Sequence, residues 1–100
     1  MRMKFILLAC TAHREGEYYV ARCKELGTSS FGDTPEEAFR NLDEATLLFL
    51  NTLEDLGECE KLLAEKDVRV YDWRDGAVVS KRVECEPGAL GQTMLVPVAA

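Results

Sequence analysis

Residues 17–56 read EYYVARCKELGTSSFGDTPEEAFRNLDEATLLFLNTLEDL, and this stretch decides the predicted fold. Thr34 is predicted as the N-cap of a long helix, with Pro35 at the first helical position. Glu37 stands three residues after the cap, so we expect its side chain to bond back to the Thr34 amide and complete a capping box. Glu36 and Glu37 also place negative charge at the positive end of the helix dipole.

The predicted helix runs from Pro35 to about Leu56, with Gly57 as its C-terminal stop. At 100° per residue, an apolar face spans an arc of about 80°. It consists of Ala38, Leu42, Ala45, Phe49, Leu53 and Leu56, and is widened by Phe39 and Leu50. The polar face carries Arg40, Glu44, Asn51, Glu54 and Asp55. Phe49 is expected at the centre of the contact with a sheet. Leu47 projects from the polar side, either as a lone exposed leucine or as a partner contact.

Three strands are predicted before the helix. Residues 3–11 form the first, residues 13–17 a hairpin turn, residues 18–23 the second strand and residues 26–31 a weaker third. The first strand is apolar on both faces: Met3, Phe5, Leu7 and Ala9 lie on one, and Ile6, Leu8 and Cys10 on the other. We therefore expect the helix to cover one face and a further element, such as a second subunit, to cover the other.

The rest of the chain completes a two-layer α+β domain. A short helix over 59–66 leads into a strand over 68–71, a turn at 74–76 and a strand over 77–85, which together make a hairpin over 68–85. Pro97 restricts the apolar end to a sheet edge or an extended arm. The prediction is one domain over 1–100, of order β-β-β-α-β, with a core at about 3–71 and a C-terminal hairpin and arm over 72–100.

Net charge is −6, and it is concentrated on the predicted helices. Residues 34–67 carry three basic and ten acidic groups, a balance of −7. This pattern describes either a solvated helix face or a docking surface for a basic partner. An acidic chain argues against general affinity for nucleic acid or anionic membrane. No apolar run is long enough to span a bilayer or to act as a usual signal peptide, so we expect a cytoplasmic protein with reduced cysteines.

The search for catalytic residues predicts a protein that is not an enzyme and needs no cofactor or metal. The four cysteines lack the close spacing of a zinc site, and residues 1–12 hold no carboxylate for a two-metal nuclease centre. His13 could pair with Cys10 or Cys23 across the hairpin, but no third orienting group is evident. Cys10 and Cys23 could also face each other, depending on the length of the turn.

Two motifs in this sequence resemble the HicB-like antitoxin family. The first is Tyr19-Val20-Ala21-Arg22-Cys23-Lys24-Glu25-Leu26, and the second is Gly32-Asp33-Thr34-Pro35-Glu36-Glu37-Ala38, with Asn41 and Glu44-Ala45 continuing the helix pattern. The resemblance covers roughly residues 3–71. Lys24 stands where the family usually has proline, and the family's Pro-Gly after Leu26 is reduced to Gly27.

The resemblance implies a partial ribonuclease-H-like fold without catalytic carboxylates, in a dimer or higher oligomer. Such domains bind a small basic messenger-RNA-cleaving toxin of the HicA type. Residues 72–100 hold no basic amphipathic helix, so direct DNA binding is not expected. The main hypothesis is an antitoxin, or an orphan relative, whose partner-binding residues are Glu44, Leu47, Glu54 and Asp55. The alternative is a self-associating structural or small-ligand-binding domain without a toxin, using the first strand and the Pro97 arm for oligomer contacts.

Overall fold

The computed structural model describes residues 4–72 and 83–98. These residues form a mixed α+β fold in which two helices accompany an antiparallel sheet of five strands. The elements are β1 (Lys4–Glu15), β2 (Tyr18–Cys23), β3 (Ser29–Gly32), α1 (Pro35–Asp55), α2 (Cys59–Glu65), β4 (Val70–Asp72) and β5 (Leu90–Val98). The predicted α+β class and its β-β-β-α order are confirmed.

The sheet is organised around β1. This strand pairs with β2 through residues 10–15, with β4 through residues 4–6 and with β5 through residues 4–12. Because β5 overlaps both other partners, β2 and β4 must share one edge of β1 while β5 occupies the other. The third strand, β3, pairs with β2.

The first hairpin is tighter than the sequence predicts. His13, expected in the turn, lies in β1, which continues to Glu15 opposite Tyr18. The turn is therefore limited to Gly16 and Glu17. The third strand also begins later than expected, because residues 24–26 form a turn that leads from β2 to β3.

The predicted start of α1 at Pro35 is confirmed, with one change in its capping bonds. The Glu37 amide donates to Thr34 Oγ1 at 3.1 Å, as expected. The Glu37 carboxylate accepts from the Asp33 amide at 3.5 Å, where the sequence suggested the Thr34 amide. Gly32 allows this close approach of β3 to α1, because a Cβ at residue 32 would lie 2.7 Å from the backbone nitrogen of Ala38.

The C-terminal end of α1 is closed by a Schellman motif. The Gly57 amide donates to the Glu54 carbonyl at 3.0 Å, and the Glu58 amide donates to the Leu53 carbonyl at 2.8 Å. Gly57 has φ of +71°, which a residue with a Cβ rarely adopts. The predicted stop is confirmed.

The buried face of α1 is rotated relative to the predicted one. It consists of Ala38, Phe39, Leu42, Thr46 and Leu50. Phe49, expected at the centre, is only partly buried at the margin of the core, and Leu56 is 68% exposed. The rotation follows from Thr46, a polar residue that is fully buried because its hydroxyl lies 3.0 Å from that of Thr28.

Residues after α1 also shift slightly. The second helix ends at Glu65, with Leu63 buried and Leu62 packed against the core. Val68 donates its amide to the Leu63 carbonyl at 2.9 Å, so it closes α2 and β4 begins only at Val70. Of the predicted hairpin over 68–85, the turn at 74–76 and residues 77–82 lie outside the described residues. Residues 83–85 are described and form no strand.

The expected C-terminal arm is, over residues 90–98, a full strand of the sheet. Met94 and Val96 of β5 belong to the hydrophobic core, so the core extends well beyond residue 71. Pro97 lies opposite Phe5. Odd-numbered residues of β1 point their backbone groups toward β2, as the bond from the Lys24 amide to the Ala9 carbonyl shows. Phe5 and Pro97 are therefore a pair that exchanges no backbone hydrogen bond, so the missing N–H of Pro97 removes no bond between β5 and β1.

Both faces of β1 are buried within this single chain. Ile6, Leu8 and Cys10 join the core beneath the helices. On the other face, Phe5 and Leu7 are each 6% exposed, and the Phe5 ring stacks on Tyr71 with centroids 5.4 Å apart. The second face, for which the sequence suggested a second subunit as the cover, is therefore already buried within one chain.

Candidate functional site

The four predicted partner-binding residues share one outward face of α1. At 100° per residue, Glu44, Leu47, Glu54 and Asp55 fall within an arc of about 100°. All four are exposed, and Leu47 is 42% exposed. We call these four residues the acidic face. Their side chains can meet a partner without unfolding any part of the domain.

Two exposed leucines beside the acidic face were not predicted. Leu48 is 69% exposed and Leu56 is 68% exposed, although the sequence placed Leu56 in the apolar stripe. They lie eight residues apart on the helix, with Thr52 between them, so they form one flank of α1. The burial of Thr46 turns this flank outward. The hydrophobic pattern of the sequence could not reveal this exposed flank, because such a pattern assigns leucines to the buried face.

A pocket of about 550 Å³ lies at the end of α1 that carries Glu54. Its wall combines α2 with residues at the ends of β1, β4 and β5, and most of the contributing side chains are apolar. The lining residues are Lys4, Glu54, Gly57, Cys59, Glu60, Leu63, Ala64, Val68, Val70 and Val98. Glu54 therefore belongs both to the acidic face and to the pocket. The sequence could not predict this pocket, because Lys4 and Val98 reach it only through long-range strand pairing.

The thiol of Cys59 is a neutral part of this pocket. Burial raises the pKa of Cys59 first, and the negative charges of Glu54 and Glu60 raise it further. A protonated thiol behaves as a small apolar group. The pocket thus combines an apolar lining with two carboxylates, Glu54 and Glu60, and one cation, Lys4. Its excess of negative charge suits an apolar side chain that is followed by a cation.

A second concave surface of about 880 Å³ lies beside β1, β2 and residues 84–89. It carries charges of both signs, including Arg22 and Lys24, and the Lys24 ammonium donates to the Glu84 carbonyl. His13 Nε2 lies 3.1 Å from Glu15 Oε1, with both side chains about half exposed. The mixed charges define no single ligand class.

The structure does not bring His13 together with the buried cysteines. His13 and Cys10 stand three residues apart on β1, so their side chains point to opposite faces of the sheet. Cys10 and Cys23 lie in the core beneath α1, whereas His13 is exposed and contacts Glu15. The Cys-His pairing considered from the sequence is therefore not formed.

Within residues 4–72 and 83–98, no group of three or more histidine, cysteine, aspartate or glutamate side chains could hold a metal ion. No helix in these two ranges is long and apolar enough to cross a membrane. A scan against protein-family models gives no match, and neither the curated proteins nor the solved structures contain a match to this chain.

Proposed function

We propose that this protein is a non-catalytic, protein-binding domain that holds a small basic partner on the acidic face of α1. Following the resemblance in residues 19–26 and 32–38, the partner is a basic RNA-cleaving toxin of the HicA type, and the protein acts as its antitoxin. The observation that carries the proposal is the position of Glu54, which joins three exposed carboxylates to an apolar pocket.

The charge distribution supports a cationic partner. Residues 34–67 contain α1 and α2 and carry a net charge of −7. The whole chain carries −6, so the remaining residues sum to +1. The summed negative potential over the layer formed by α1 and α2 speeds the approach of a positively charged protein and orients it before contact. Such steering weakens as salt screens the charges, so the affinity should fall with ionic strength.

The pocket adds the apolar contact that a charged surface lacks. Exposed ion pairs contribute little to affinity by themselves, and tight interfaces depend on a few apolar anchors in desolvated pockets. The partner segment that fits this site carries an apolar side chain for the pocket and Lys or Arg residues for Glu54 and Asp55. Leu47 extends the apolar contact along the helix.

The direct test searches the neighbouring genes for a small basic protein and measures its binding to this chain. Calorimetry should detect a complex with the wild-type chain. The triple variant Glu44→Lys, Glu54→Lys and Asp55→Lys should bind at least tenfold more weakly, a loss of about 1.4 kcal/mol. The matched control is Glu17→Lys, Glu84→Lys and Glu86→Lys, which reverses three exposed carboxylates elsewhere and raises net charge by the same amount.

A separate variant tests the pocket. Ala64 is exposed and lines the pocket, so Ala64→Trp should fill the cavity without disturbing the core. We expect it to weaken binding while leaving the urea midpoint unchanged. Equal losses from the two charge-reversal triples would show that only net charge matters and would remove the acidic face from the proposal. The absence of a neighbouring basic protein, together with failure to capture one, would remove the antitoxin assignment.

A further inference from the structure

Cys10 and Cys23 are directly opposite each other in the β1–β2 ladder. The bond from the Lys24 amide to the Ala9 carbonyl makes residues 9 and 24 a hydrogen-bonded pair. The next pair, Cys10 and Cys23, is then a non-hydrogen-bonded pair, in which side chains approach most closely. Consistent with this, the amide and carbonyl of Cys23 point away from β1, toward Thr28 and Gly27. Non-hydrogen-bonded pairs have Cα atoms about 4.5 Å apart, within the range that a disulfide bridges.

Both thiols are shielded in the folded chain, and the Glu25 side chain lies against one of them. Cys10 is 1% exposed and Cys23 is 0% exposed. Glu25 is partly exposed, and one of its carboxylate oxygens lies 3.9 Å from Cys23 Sγ. Both of its oxygens accept from the Ala9 amide, at 2.9 and 3.1 Å. Glu25 thus occupies the edge of β1 between β2 and β4, in contact with the Cys23 sulfur.

The two thiols are chemically different. The neighbouring Cys10 thiol lowers the pKa of Cys23 to about 7, although burial and the Glu25 carboxylate act in the opposite direction. The Cys23 thiol, followed by burial, raises the pKa of Cys10. Cys23 is therefore the more acidic thiol of the pair, and Cys10 is the one that holds its proton more tightly. A thiolate attacks a disulfide and a thiol does not, which assigns the attacking role to Cys23.

We propose that Cys10 and Cys23 form a reversible thiol–disulfide site that is oxidised by a low-molecular-weight disulfide. The Cys23 thiolate attacks one sulfur of the oxidant, forms a mixed disulfide and releases one thiolate. Cys10 then loses its proton and attacks the Cys23 sulfur, which forms the Cys10–Cys23 bond and releases the second thiolate. Two electrons pass from the protein to the oxidant, and the two released thiolates take up the protons lost by Cys10 and Cys23. The site is independent of the acidic face of α1.

The test uses the full chain and the neutral oxidant 2-hydroxyethyl disulfide. Cys85 is exposed and would trap the reagent, so the reference protein carries Cys85→Ser and keeps three of the four cysteines. After oxidation of the folded protein, unfolding and treatment with iodoacetamide, the number of alkylated thiols should fall from three to one. Peptide mapping should place the bond between Cys10 and Cys23, and excess dithiothreitol should restore all three thiols.

Matched variants separate this pair from the remaining buried thiol. Adding Cys59→Ser should leave the Cys10–Cys23 bond intact, whereas adding Cys23→Ser should abolish it. Peptide mapping of the reference protein carries the test even where Cys23→Ser does not fold. The proposal is overturned by a bond to Cys59, by mixed disulfides alone, or by three alkylated thiols after prolonged oxidation under folding conditions.

Discussion

The hydroxyl of Thr46, on the buried face of α1, lies 3.0 Å from the hydroxyl of Thr28 in the segment before β3. Thr46 is 0% exposed, and it is the polar side chain that the described core buries completely. The bond satisfies a group whose burial would otherwise be costly, and it fixes the rotation of α1 over the sheet.

Removal of this hydroxyl pair should show coupling between the two positions. Thr46→Val leaves the Thr28 hydroxyl without this partner, and we expect it to lower the free energy of unfolding by about 1 kcal/mol. Thr28→Val should have a similar effect. The double variant should lose about as much as one single variant, because both ends of the bond are then apolar. Urea denaturation of the four proteins gives the coupling, and fully additive losses would contradict it.

The ends of α1 were predictable because they depend on neighbouring residues. A cap at Thr34, a proline at the first position and Gly57 at the stop act within a few residues of each other, and all three have the expected roles. The two-residue turn at Gly16 and Glu17 was missed for the opposite reason. Residues 13–15 are polar like a turn, and only their pairing with β2 makes them a strand.

The buried face of α1 and the pocket beside it could not be read from the sequence. Thr46 is buried because Thr28 meets it, and no local pattern announces that contact. The strand β5 completes the core through pairing with β1, between residues that stand 78 to 94 positions apart in the chain. The acidic face was different, since its four residues follow from helix periodicity alone and are exposed as expected.

The rotation of α1 changes which residue matters most for stability. Leu42 is 0% exposed at the centre of the core, whereas Phe49 packs only at its margin. Leu42→Ala should lower the free energy of unfolding by about 3 kcal/mol, through lost burial and a residual cavity. Phe49→Ala, which would cost about 3 to 5 kcal/mol at the predicted centre of the contact, should cost less than Leu42→Ala.

Leu48→Ala serves as the surface control for that pair. Because Leu48 is 69% exposed, its truncation should change the free energy of unfolding by less than about 0.5 kcal/mol. Urea denaturation at constant m-value measures all three variants. A larger loss from Phe49→Ala than from Leu42→Ala would restore the helical face predicted from periodicity.

Gly32 and Gly57 should respond differently to alanine. A Cβ at Gly32 would approach backbone atoms of Glu37 and Ala38 at 2.9 and 2.7 Å, so β3 and α1 would have to move apart. We expect Gly32→Ala to cost about 1 to 3 kcal/mol. A Cβ at Gly57 would meet nothing within 4 Å, and Gly57→Ala should cost about 1 kcal/mol through its positive φ alone. Thermal denaturation ranks the two, and a smaller loss at Gly32 would contradict the close approach.

Asp43 should make the stability of the domain fall as the pH rises. It lies on α1 and is partly buried, and this burial raises its pKa above the ordinary value of 3.8. A group with a higher pKa in the folded state holds its proton more tightly there, so the folded chain binds more protons than the unfolded chain between the two pKa values. The stability that protonated Asp43 contributes is therefore lost as the pH rises from its pKa in the unfolded chain through its higher pKa in the folded chain.

Asp43→Asn removes this penalty because the amide carries no charge. At pH 7 the variant should have a higher urea midpoint than wild type. At pH 3 the Asp43 carboxyl of wild type is mostly protonated in both the folded and the unfolded chain, so the difference in midpoint should shrink toward zero. Glu44→Gln is the matched control on the exposed acidic face, and its midpoint difference from wild type should change much less between the two pH values. A variant at position 43 that is less stable than wild type at pH 7 would mean that the Asp43 carboxylate is stabilised by a contact when charged, which outweighs its burial.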